Sequence, residues 1–499
     1  MSIASQLTFR PDLPVVLNNV DYQRREAELK RMDEILRGSG AEEAFVEATI
    51  KVWMSEGKAR KESGAEILKE KARLQRGLRC SLLRSRLKLS YREMSTRLAE
   101  CPLYQWFCHL DRLGEIQVLS KSEIHRGEQL ATPEVLKEIN AQVISAAAQV
   151  PEAGTEQVLG LKNEIELKTV WMDSTAVKTN IHYPVDWVLV RDATRTLMKA
   201  TLLIRKHGLK HRMECPKKFL GRMNGHCMGM SATRRKAGGR RKRKQVFRTM
   251  KRLMKTVSAH AERHRELLQE HWRETDWSEA QAAQVIARIE GVLELLPEAM
   301  KQAHARIIRG ELTPSSQKIL SLYEREVNVI VRGKPESETE FGNSLLLVEQ
   351  EDGLIVDWKL HEKAAPDDSH QMRQSIERLE AAHGSGVIGE VVGDRQFDSK
   401  SNRKWLEKQK ISNSLCPRSL QELKEKLQEP PFKKAQHRRA QTEARIAILK
   451  NVFLGNPAKG KGFKNRERQV GWSVLAHNLW LLSRMERAKE KPEALALAA

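Results

Sequence analysis

Apolar positions recur at a helical period through the N-terminal part of the chain. The stretch 22–40, YQRREAELKRMDEILRGSG, places them every three or four residues and ends in glycines, as is typical of a helix. The stretch 77–110 predicts two short helices around LKLSYRE, because Ser90 followed by Glu93 is a capping box that opens the second one. We therefore predict a helical region over residues 20–130.

Two short helices around a tight turn, with Arg and Lys on the outer side, are typical of a helix-turn-helix-like DNA-binding region. We predict such a region over residues 1–130 and a linker over residues 131–164. An ordinary helical bundle has the same local pattern, so this alternative stays open.

Further along the chain the apolar period is first that of a strand, then of helices, then of strands again. The segment 165–178 is apolar and rich in β-branched residues, which predicts a strand. Helical periods fill residues 187–325. Strand patterns return at EVNVIVRG, GNSLLLVEQEDGLIVDWKLHE, VIGEVVGDRQFDS and ISNSLCPRS, and the second of these predicts a hairpin that turns at residues 351–353.

This alternation predicts an α/β fold whose core is split after its first strand by a large all-α insertion. We predict the first part of the core over residues 165–186 and the insertion, with its basic run, over residues 187–325. The remainder of the core is expected over residues 326–485 and a disordered tail over residues 486–499.

Charge indicates the kind of partner. The chain has 499 residues and a formal net charge of +23, which favours a polyanion, although a basic protein without such a partner has the same composition. No run approaches the roughly 20 apolar residues of a membrane span, and the N-terminus lacks the order of a signal peptide, so we expect a cytoplasmic protein with no membrane partner. Six cysteines without CxxC spacing favour reduced thiols.

Lys and Arg are concentrated in two segments. RRKAGGRRKRKQ, residues 234–245, contains two glycines that suggest a hinge at the start of a basic helix. GNPAKGKG, residues 455–462, resembles a P-loop but lacks its Ser or Thr and follows a helix instead of a strand. Both segments favour phosphate contacts, although a solvated loop also explains the first. The candidate phosphate-binding residues here are Arg240, Arg241, Lys242, Arg243, Lys244, Lys459, Lys461 and Lys464.

Two predicted strands end on an acid, Asp173 after LKTVWM and Asp394 after GVIGEVVG. An open sheet presents its chemistry at the carboxyl ends of its strands. Two adjacent carboxylates repel each other unless a cation lies between them, and oxygen ligands suit Mg²⁺ or Mn²⁺. The pair therefore favours a metal site, although each acid alone could be a cap or a turn residue.

A third acid lies on a helical segment near the C-terminus, FKKAQHRRAQTEARIAILKNVF. Glu443 shares one helix face with Arg439, four residues before it, and with Lys450, seven residues after it. The two cations would flank the carboxylate and could bind phosphates. Ile446 and Leu449 are expected to pack this helix inward.

In this order, on strand, strand and helix, Asp173, Asp394 and Glu443 resemble the DDE triad of RNase H-like transposases. The helix is similar to the Tyr-x2-Arg-x3-Glu-x6-Lys signature of bacterial insertion-sequence transposases, with Gln436 in place of the tyrosine. The segments DSTAVKTNIHYPVD and RGKPESETEFGNSLLLV also resemble members of this group. The resemblance covers about residues 165–485.

The resemblance implies an RNase H-like core that binds terminal inverted repeats and performs metal-dependent DNA cleavage and strand transfer. Two Mg²⁺ or Mn²⁺ ions would be held by the three acids, with Asp173 bridging both. Double-stranded DNA, as transposon ends and as target, would be the partner. Self-association on that DNA and a nucleoid-associated place in a bacterial cytoplasm are also implied. Two alternatives stay open, namely an RNase H-like nuclease without strand transfer and a DNA-binding protein without catalysis.

Histidines and cysteines between residues 207 and 227 raise the question of zinc. Their spacing lacks the paired CxxC or HxxxH pattern of structural zinc sites, and a basic helix with ordinary histidines also explains them. The residues concerned are His207, His211, Cys215, His226 and Cys227.

Overall fold

The computed structural model of the chain describes residues 13–55, 64–110, 116–151, 157–233, 238–334 and 337–488, with the backbone alone at 64–65, 316, 332–334 and 337–338. The first four residues of the predicted basic run and most of the predicted tail, residues 234–237 and 489–499, therefore lie outside the described residues.

The described residues form a six-stranded sheet and sixteen α-helices. The helices are α1 (Val20–Gly38), α2 (Ala41–Ser55), α3 (Gly64–Leu87), α4 (Tyr91–Glu100), α5 (Pro102–Phe107), α6 (Lys121–Glu128), α7 (Pro133–Ala148), α8 (Asp186–Lys206), α9 (Pro216–Ala232), α10 (Gly239–His271), α11 (Glu279–His304), α12 (Asp368–His383), α13 (Lys400–Gln409), α14 (Leu420–Lys426), α15 (Pro430–Ile448) and α16 (Phe463–Leu482). The strands are β1 (Thr169–Lys178), β2 (Asn328–Lys334), β3 (Ser337–Glu349), β4 (Ile355–Leu360), β5 (Glu390–Gly393) and β6 (Ser412–Leu415).

Local sequence signals set the helices of the N-terminal region. The backbone N–H of Glu93 donates to Ser90 Oγ at 3.2 Å, and the Ser90 N–H donates to Glu93 Oε2 at 2.8 Å. The predicted capping box at the start of α4 is thereby confirmed. The turn between α3 and α4 contains Lys88, whose φ of 53° lies in the left-handed region. Two helices joined by a short turn are present, but the first, α3, has 24 residues and is not short as predicted. A role in DNA binding stays a prediction.

The prediction of a linker over residues 131–164 is wrong for residues 133–148, which form α7. Its apolar residues are buried, and Asn140 on the same helix donates from Nδ2 to Ile355 O of β4 at 3.0 Å. Asn478 of α16 binds the same strand, accepting from Ile355 N at 2.9 Å and donating to Asn140 Oδ1 at 2.8 Å. The linker prediction overlooked local start signals, because the Thr132 side chain caps the helix by accepting from Val135 N–H at 3.3 Å and Pro133 stands in its first turn.

The N-terminal helices and the sheet share one hydrophobic core. Helix α16 lies at its centre and is buried around most of its circumference. The Phe45 ring of α2 lies 6.1 Å from that of Trp472 on α16. A Cβ at Gly471 would lie 2.8 Å from the Leu136 side chain and 3.5 Å from Trp358 of β4, so helix and sheet approach each other closely there. The N-terminal helices are therefore not a hydrophobic unit of their own.

The sheet is mixed, and β1 lies at its centre. One edge of β1 pairs antiparallel with β3, and the other pairs parallel with β5, which in turn pairs parallel with β6. Strands β2 and β4 both pair antiparallel with β3 on the side away from β1. Gly342 of β3 pairs with Asn328 of β2 on one side and with Lys178 of β1 on the other, and Leu347 likewise lies between Trp358 of β4 and Asp173 of β1. The predicted β3–β4 hairpin is confirmed, with Gly353 at a φ of 89° in its turn.

The second hydrophobic core belongs to the four helices α8 to α11, residues 186–304, which we call the helical module. These helices occupy the part of the chain where the apolar period predicts helices. Buried residues on facing helices, such as Leu197, Phe247 and Ile289, fill their interior. The chain enters the module after β1 and returns from it to the sheet at β2.

The prediction of a disordered tail from residue 486 is wrong for its first three residues. Lys162 N–H donates to Glu486 O at 2.9 Å, and Ala488 N–H donates to Gly160 O at 3.2 Å. Backbone hydrogen bonds to residues 160–162 hold this segment in place. Among the helices that the structure describes, none is both long and apolar enough to cross a membrane.

Candidate active site

The two sheet acids lie beside each other because of the parallel register of β1 and β5. Met172 pairs with Gly393, and the next residue on each strand is an acid, Asp173 or Asp394. Asp394 follows the end of β5, as predicted. The prediction for Asp173 is wrong in one respect, since β1 continues past it to Lys178 along β3. Asp173 is therefore an interior residue of the central strand at the point where its parallel neighbour ends.

Helix α15 crosses the sheet over the same face of β1. At one end, Trp171 donates from Nε1 to Ala435 O at 3.0 Å. At the other, Lys450 in the π-helical turn Leu449–Leu454, which continues α15, donates from Nζ to Ala176 O at 2.7 Å and to Thr175 Oγ1 at 3.2 Å. Trp171, Asp173 and Thr175 alternate onto one face of the strand. The helix thus brings Glu443, about midway between its two anchors, to Asp173.

A cleft of about 280 Å³ lies between β1 and the helix. Ile446 and Leu449 are buried and pack the helix inward as predicted. The residues that line the cleft and carry polar side chains are Asp173, Ser174, Thr175, Glu443, Lys450, Asn451 and Asn456.

Electrostatics couple the predicted charged residues to Asp173. The pKa of Asp173 is raised to about 6, chiefly by burial; the hydrogen bond from the Ser174 N–H acts against this rise, and the charge of Asp394 contributes to it. Arg439 then lowers this pKa and Glu443 raises it. Three of the four other charged residues predicted for the site, Asp394, Arg439 and Glu443, therefore act on Asp173. The fourth, Lys450, contacts Thr175, two residues further along the strand.

The three acids form no ion pair within the described part of the chain, although the charge of Arg439 acts on Asp173. Asp173 Oδ1 accepts from Ser174 N–H at 2.7 Å, and Asp394 Oδ1 accepts from Gln396 N–H at 2.8 Å. Among the described residues, neither these two nor the exposed Glu443 forms an ion pair. Unneutralised carboxylates on one cleft repel each other, which is an arrangement that a divalent cation stabilises.

Sequence reasoning did not recognise a fourth acid on this face of the sheet, Glu349 on β3. It is 2% exposed, and its Oε1 accepts from Arg438 Nη1 at 2.6 Å and from Thr442 Oγ1 at 2.7 Å. Arg445 lies 3.5 Å from the other oxygen, and the Arg438 guanidinium stacks 4.6 Å from the centroid of Trp171. These contacts fix α15 to the sheet, so Glu349 is a structural acid beside three unpaired ones.

The donor set fits a hard divalent cation in its chemistry, because it consists of carboxylate oxygens without protein counter-ions. As the side chains stand, however, no group of three or more His, Cys, Asp or Glu residues in the described part of the chain is close enough to hold a metal ion. The assignment of metal to Asp173, Asp394 and Glu443 therefore stays a prediction.

Gln436, which stands where the signature has tyrosine, contacts the ends of two strands. Its Nε2 donates to Ser414 O of β6 at 2.6 Å and to Gly393 O, immediately before Asp394, at 3.4 Å. Arg418 holds the backbone on the other side of Asp394, with bonds of 3.1 Å to Arg395 O and to Gln396 O. No sequence signal pointed to Arg418.

The remaining predicted phosphate ligands lie in two places. Arg240 and Arg243, with Tyr183 and Trp187, line a cleft of about 1100 Å³ at the base of the helical module. Arg241 and Lys242 are exposed on α10, and Lys244 is half-buried. Lys459, Lys461 and Lys464 are exposed on the loop after the π-helical turn and at the start of α16, and this loop pairs with the end of β1 through Ala458 N–H and Lys178 O at 2.9 Å.

The structure gives no support to a zinc site. His207 binds Asp276 through Nδ1 at 2.5 Å, and His211 lies 3.4 Å from Arg263. Cys215 is exposed and Cys227 is buried. All six cysteines are free thiols, as expected, and in the described residues no metal-binding cluster forms around His226 or its neighbours.

Residues 341–479 match the family model of the transposase DDE domain. The match begins in β3 and ends in α16, and it includes Asp394, Gln436, Glu443 and Lys450 but not Asp173. No curated protein and no solved structure matches the chain significantly.

Proposed function

We propose, from the premise that this chain carries a transposase DDE domain, that it is an insertion-sequence transposase that cleaves DNA and joins the cut ends to a target. One observation carries the proposal. The β1–β5 register sets Asp173 beside Asp394, and α15 brings Glu443 to the same cleft. This arrangement supports the proposal, because the two acids that act electrostatically on Asp173 are the other two acids of the family triad, although the first and the last lie 270 residues apart in sequence.

The sheet also supports an RNase H-like core. Its central strand carries the first acid, its antiparallel neighbours precede the parallel strand that carries the second, and a helix across the sheet carries the third. In this interpretation the helical module is an insertion between the first two strands of that core.

The acidic and the basic residues at the cleft would have different roles. Asp173, Asp394 and Glu443 would hold two Mg²⁺ or Mn²⁺ ions, which when bound activate the attacking oxygen and stabilise the leaving one. Arg439 and Lys450 flank the acids and would orient the scissile phosphate. Asp173 must be ionised to bind a cation, and its pKa near 6 means that it carries its charge at neutral pH.

The partner in this proposal is double-stranded DNA, first as transposon ends and then as target. The exposed lysines of the loop after the π-helical turn and the basic start of α10 would contact its phosphates. We expect protomers to associate on paired DNA ends, in a bacterial cytoplasm at the nucleoid.

A strand-transfer assay tests the proposal. The full chain would be incubated with Mg²⁺, a duplex that carries the DNA flanking its reading frame, and a supercoiled target plasmid. Joined products support a transposase, while cleavage without joining would show a nuclease instead. Asp394→Ala is the control, because it should bind DNA as the wild type does and yield no product. Unchanged products from this variant would refute the triad.

A further inference from the structure

We propose that α10 carries a second surface for the backbone of duplex DNA, which extends well beyond the basic run recognised in the sequence. Residues 239–261 contain nine Lys or Arg and no Asp or Glu. At about 100° per residue, six of these cations fall on one side of the helix, within roughly 100° of its circumference. We call them the α10 stripe: Arg241, Lys244, Arg248, Lys251, Arg252 and Lys255.

The opposite side of α10 holds the helix in the module. Phe247, Met250, Met254 and Val257 are buried in its core. The stripe is thereby fixed to face away from that core. All its members are exposed except Lys244, which is half-buried, and in the part of the chain that the structure describes none of the six forms an ion pair.

The geometry of the stripe favours duplex DNA over a protein partner. From Arg241 to Lys255 it extends about 21 Å along the helix axis, at 1.5 Å per residue. Over the same length, a duplex carries roughly one phosphate charge per 1.7 Å. Four stripe residues border a cleft of about 870 Å³ that is also lined by apolar residues of α11, namely Leu293, Leu296, Pro297 and Met300. On α10, however, every exposed residue between positions 241 and 256 is polar, so the stripe itself presents only polar and charged groups. It therefore suits contacts that are independent of base sequence.

The test compares two variants with the same change in charge. One replaces four residues of the stripe (R248Q/K251Q/R252Q/K255Q). The control replaces four exposed lysines of the same module that lie outside it (K206Q/K210Q/K217Q/K218Q). Binding of the full chain to an arbitrary duplex is followed by fluorescence anisotropy at several salt concentrations, without divalent metal.

Each lost phosphate contact should reduce the slope of log K against log salt by about 0.9. We expect the magnitude of this slope to fall by about 3 to 4 in the stripe variant and by less than about 1 in the control. Equal losses in both variants, or no loss in either, would overturn the inference.

This inference rests on the proposed function only for its partner, and the two fail in different ways. A chain that binds through the stripe but never cleaves DNA would refute the transposase. A chain that cleaves and joins DNA while the stripe variant binds like the control would refute the stripe alone.

A different observation carries a second inference, which also rests on the proposed function. We infer that Gln436 is a positioning residue for Asp394. Its amide ties α15 to the carbonyls of Ser414 and Gly393, and so it joins the helix that carries Glu443 to the strand end that carries Asp394. Arg418 secures the backbone just beyond that acid. A tyrosine hydroxyl has one proton to donate and could not bind both carbonyls, so glutamine here makes a link of its own.

Three variants test this role by calorimetric titration with Mn²⁺, which reads the site without any reaction. Gln436→Met has nearly the same length but no donor, and we expect it to weaken Mn²⁺ binding about tenfold. Gln436→Lys restores a donor and should recover part of that loss. Gln441→Met makes the same change at an exposed position of α15 and should bind Mn²⁺ as the wild type does.

Equal Mn²⁺ affinity in Gln436→Met and Gln441→Met would refute the positioning role. The thermal unfolding midpoint without metal separates this role from a general loss of fold, since a purely structural residue would lower the midpoint and leave the affinity of the folded fraction unchanged. Wild-type chain that binds Mn²⁺ but never cuts DNA would refute the proposed function instead.

Discussion

The sheet and the helical module differ in the sign of the charges that they leave unpaired. On the sheet, Asp173 and Glu443 line the cleft under α15 and Asp394 lies beside Asp173, and none of the three forms an ion pair with a described residue. On the module, the α10 stripe presents cations without acids. Elsewhere, buried charges are paired, as Glu349 is with Arg438 and as Arg79 is with Asp33 and Glu42. Pairing thus distinguishes charges that stabilise the fold from charges that are available to a ligand.

The two regions would serve one substrate in different ways. An acidic cleft repels DNA unless cations fill it, whereas a basic surface attracts any duplex. The module can therefore supply affinity, and the sheet can supply chemistry at one phosphodiester. Neighbouring like charges lower stability in both regions. Substitution of an unpaired charge should therefore impair DNA cleavage or binding with little loss of stability, whereas substitution of a paired charge should mainly lower stability.

The largest effect should come from an unpaired acid. Under the proposed function, Glu443→Ala should reduce DNA cleavage by roughly three orders of magnitude or more, because the cleft would lose a metal ligand that acts in the transition state. Its free energy of unfolding should change by no more than about 0.5 kcal/mol, since the side chain is exposed. Cleavage assays and denaturant unfolding measure the two. A strongly destabilised but active variant would contradict the distinction between unpaired charges that act on a ligand and paired charges that stabilise the fold.

The same substitution at the paired acid should act in the opposite way. Glu349→Ala leaves the buried Arg438 without its carboxylate, and we expect a loss of about 3–5 kcal/mol in the free energy of unfolding. Activity per folded molecule should fall much less than in Glu443→Ala. Denaturant unfolding checks the first value, and an unchanged stability would show that the buried network does not hold α15 in place.

The charge of Asp173 should lower the free energy of unfolding by an amount that depends on pH. Its pKa in the folded state, about 6, lies above its ordinary value of 3.8, so the folded protein binds the proton more tightly than the unfolded chain. The carboxylate therefore destabilises the fold fully above about pH 6, and this contribution disappears as the pH falls toward 3.8. Asp173→Asn should stabilise the metal-free protein at pH 7.5 by on the order of 2 kcal/mol.

That gain should shrink as the pH is lowered through this window, as thermal or denaturant unfolding at several pH values would show. A gain that stays constant from pH 8 to pH 4 would mean that burial of the charge is not its cause.

The smallest effect should come from a cation of the cleft. Lys450→Met removes the ammonium that Thr175 and Ala176 O hold beside the acids. We expect DNA affinity to fall about fivefold, since one charge-assisted contact is lost. Lys434→Met, at an exposed position of α15, is the matched control. Anisotropy titrations compare the DNA affinities of the two variants, and equal affinities would show that Lys450 does not contact DNA.

The sequence by itself determined the features that depend on residues a few positions apart. The capping box at Ser90, the β3–β4 hairpin, the helices of the module and the common face of Arg439 and Glu443 all follow from local spacing. The chain order of the acids could be recognised as well, because a resemblance to a family requires only residue types and their sequence. Strand ends were less certain, since the pairing of β1 with β3 extends past Asp173.

Only the tertiary structure decided what distant residues do to each other. The β1–β5 register set Asp173 beside Asp394, and buried contacts made α7 part of the core instead of a linker. Packing also separated Glu349, which is neutralised, from the acids that are not. The physical reason is that desolvation and pairing depend on which side chains surround a group in space, and a local pattern carries no record of neighbours a hundred or more residues away.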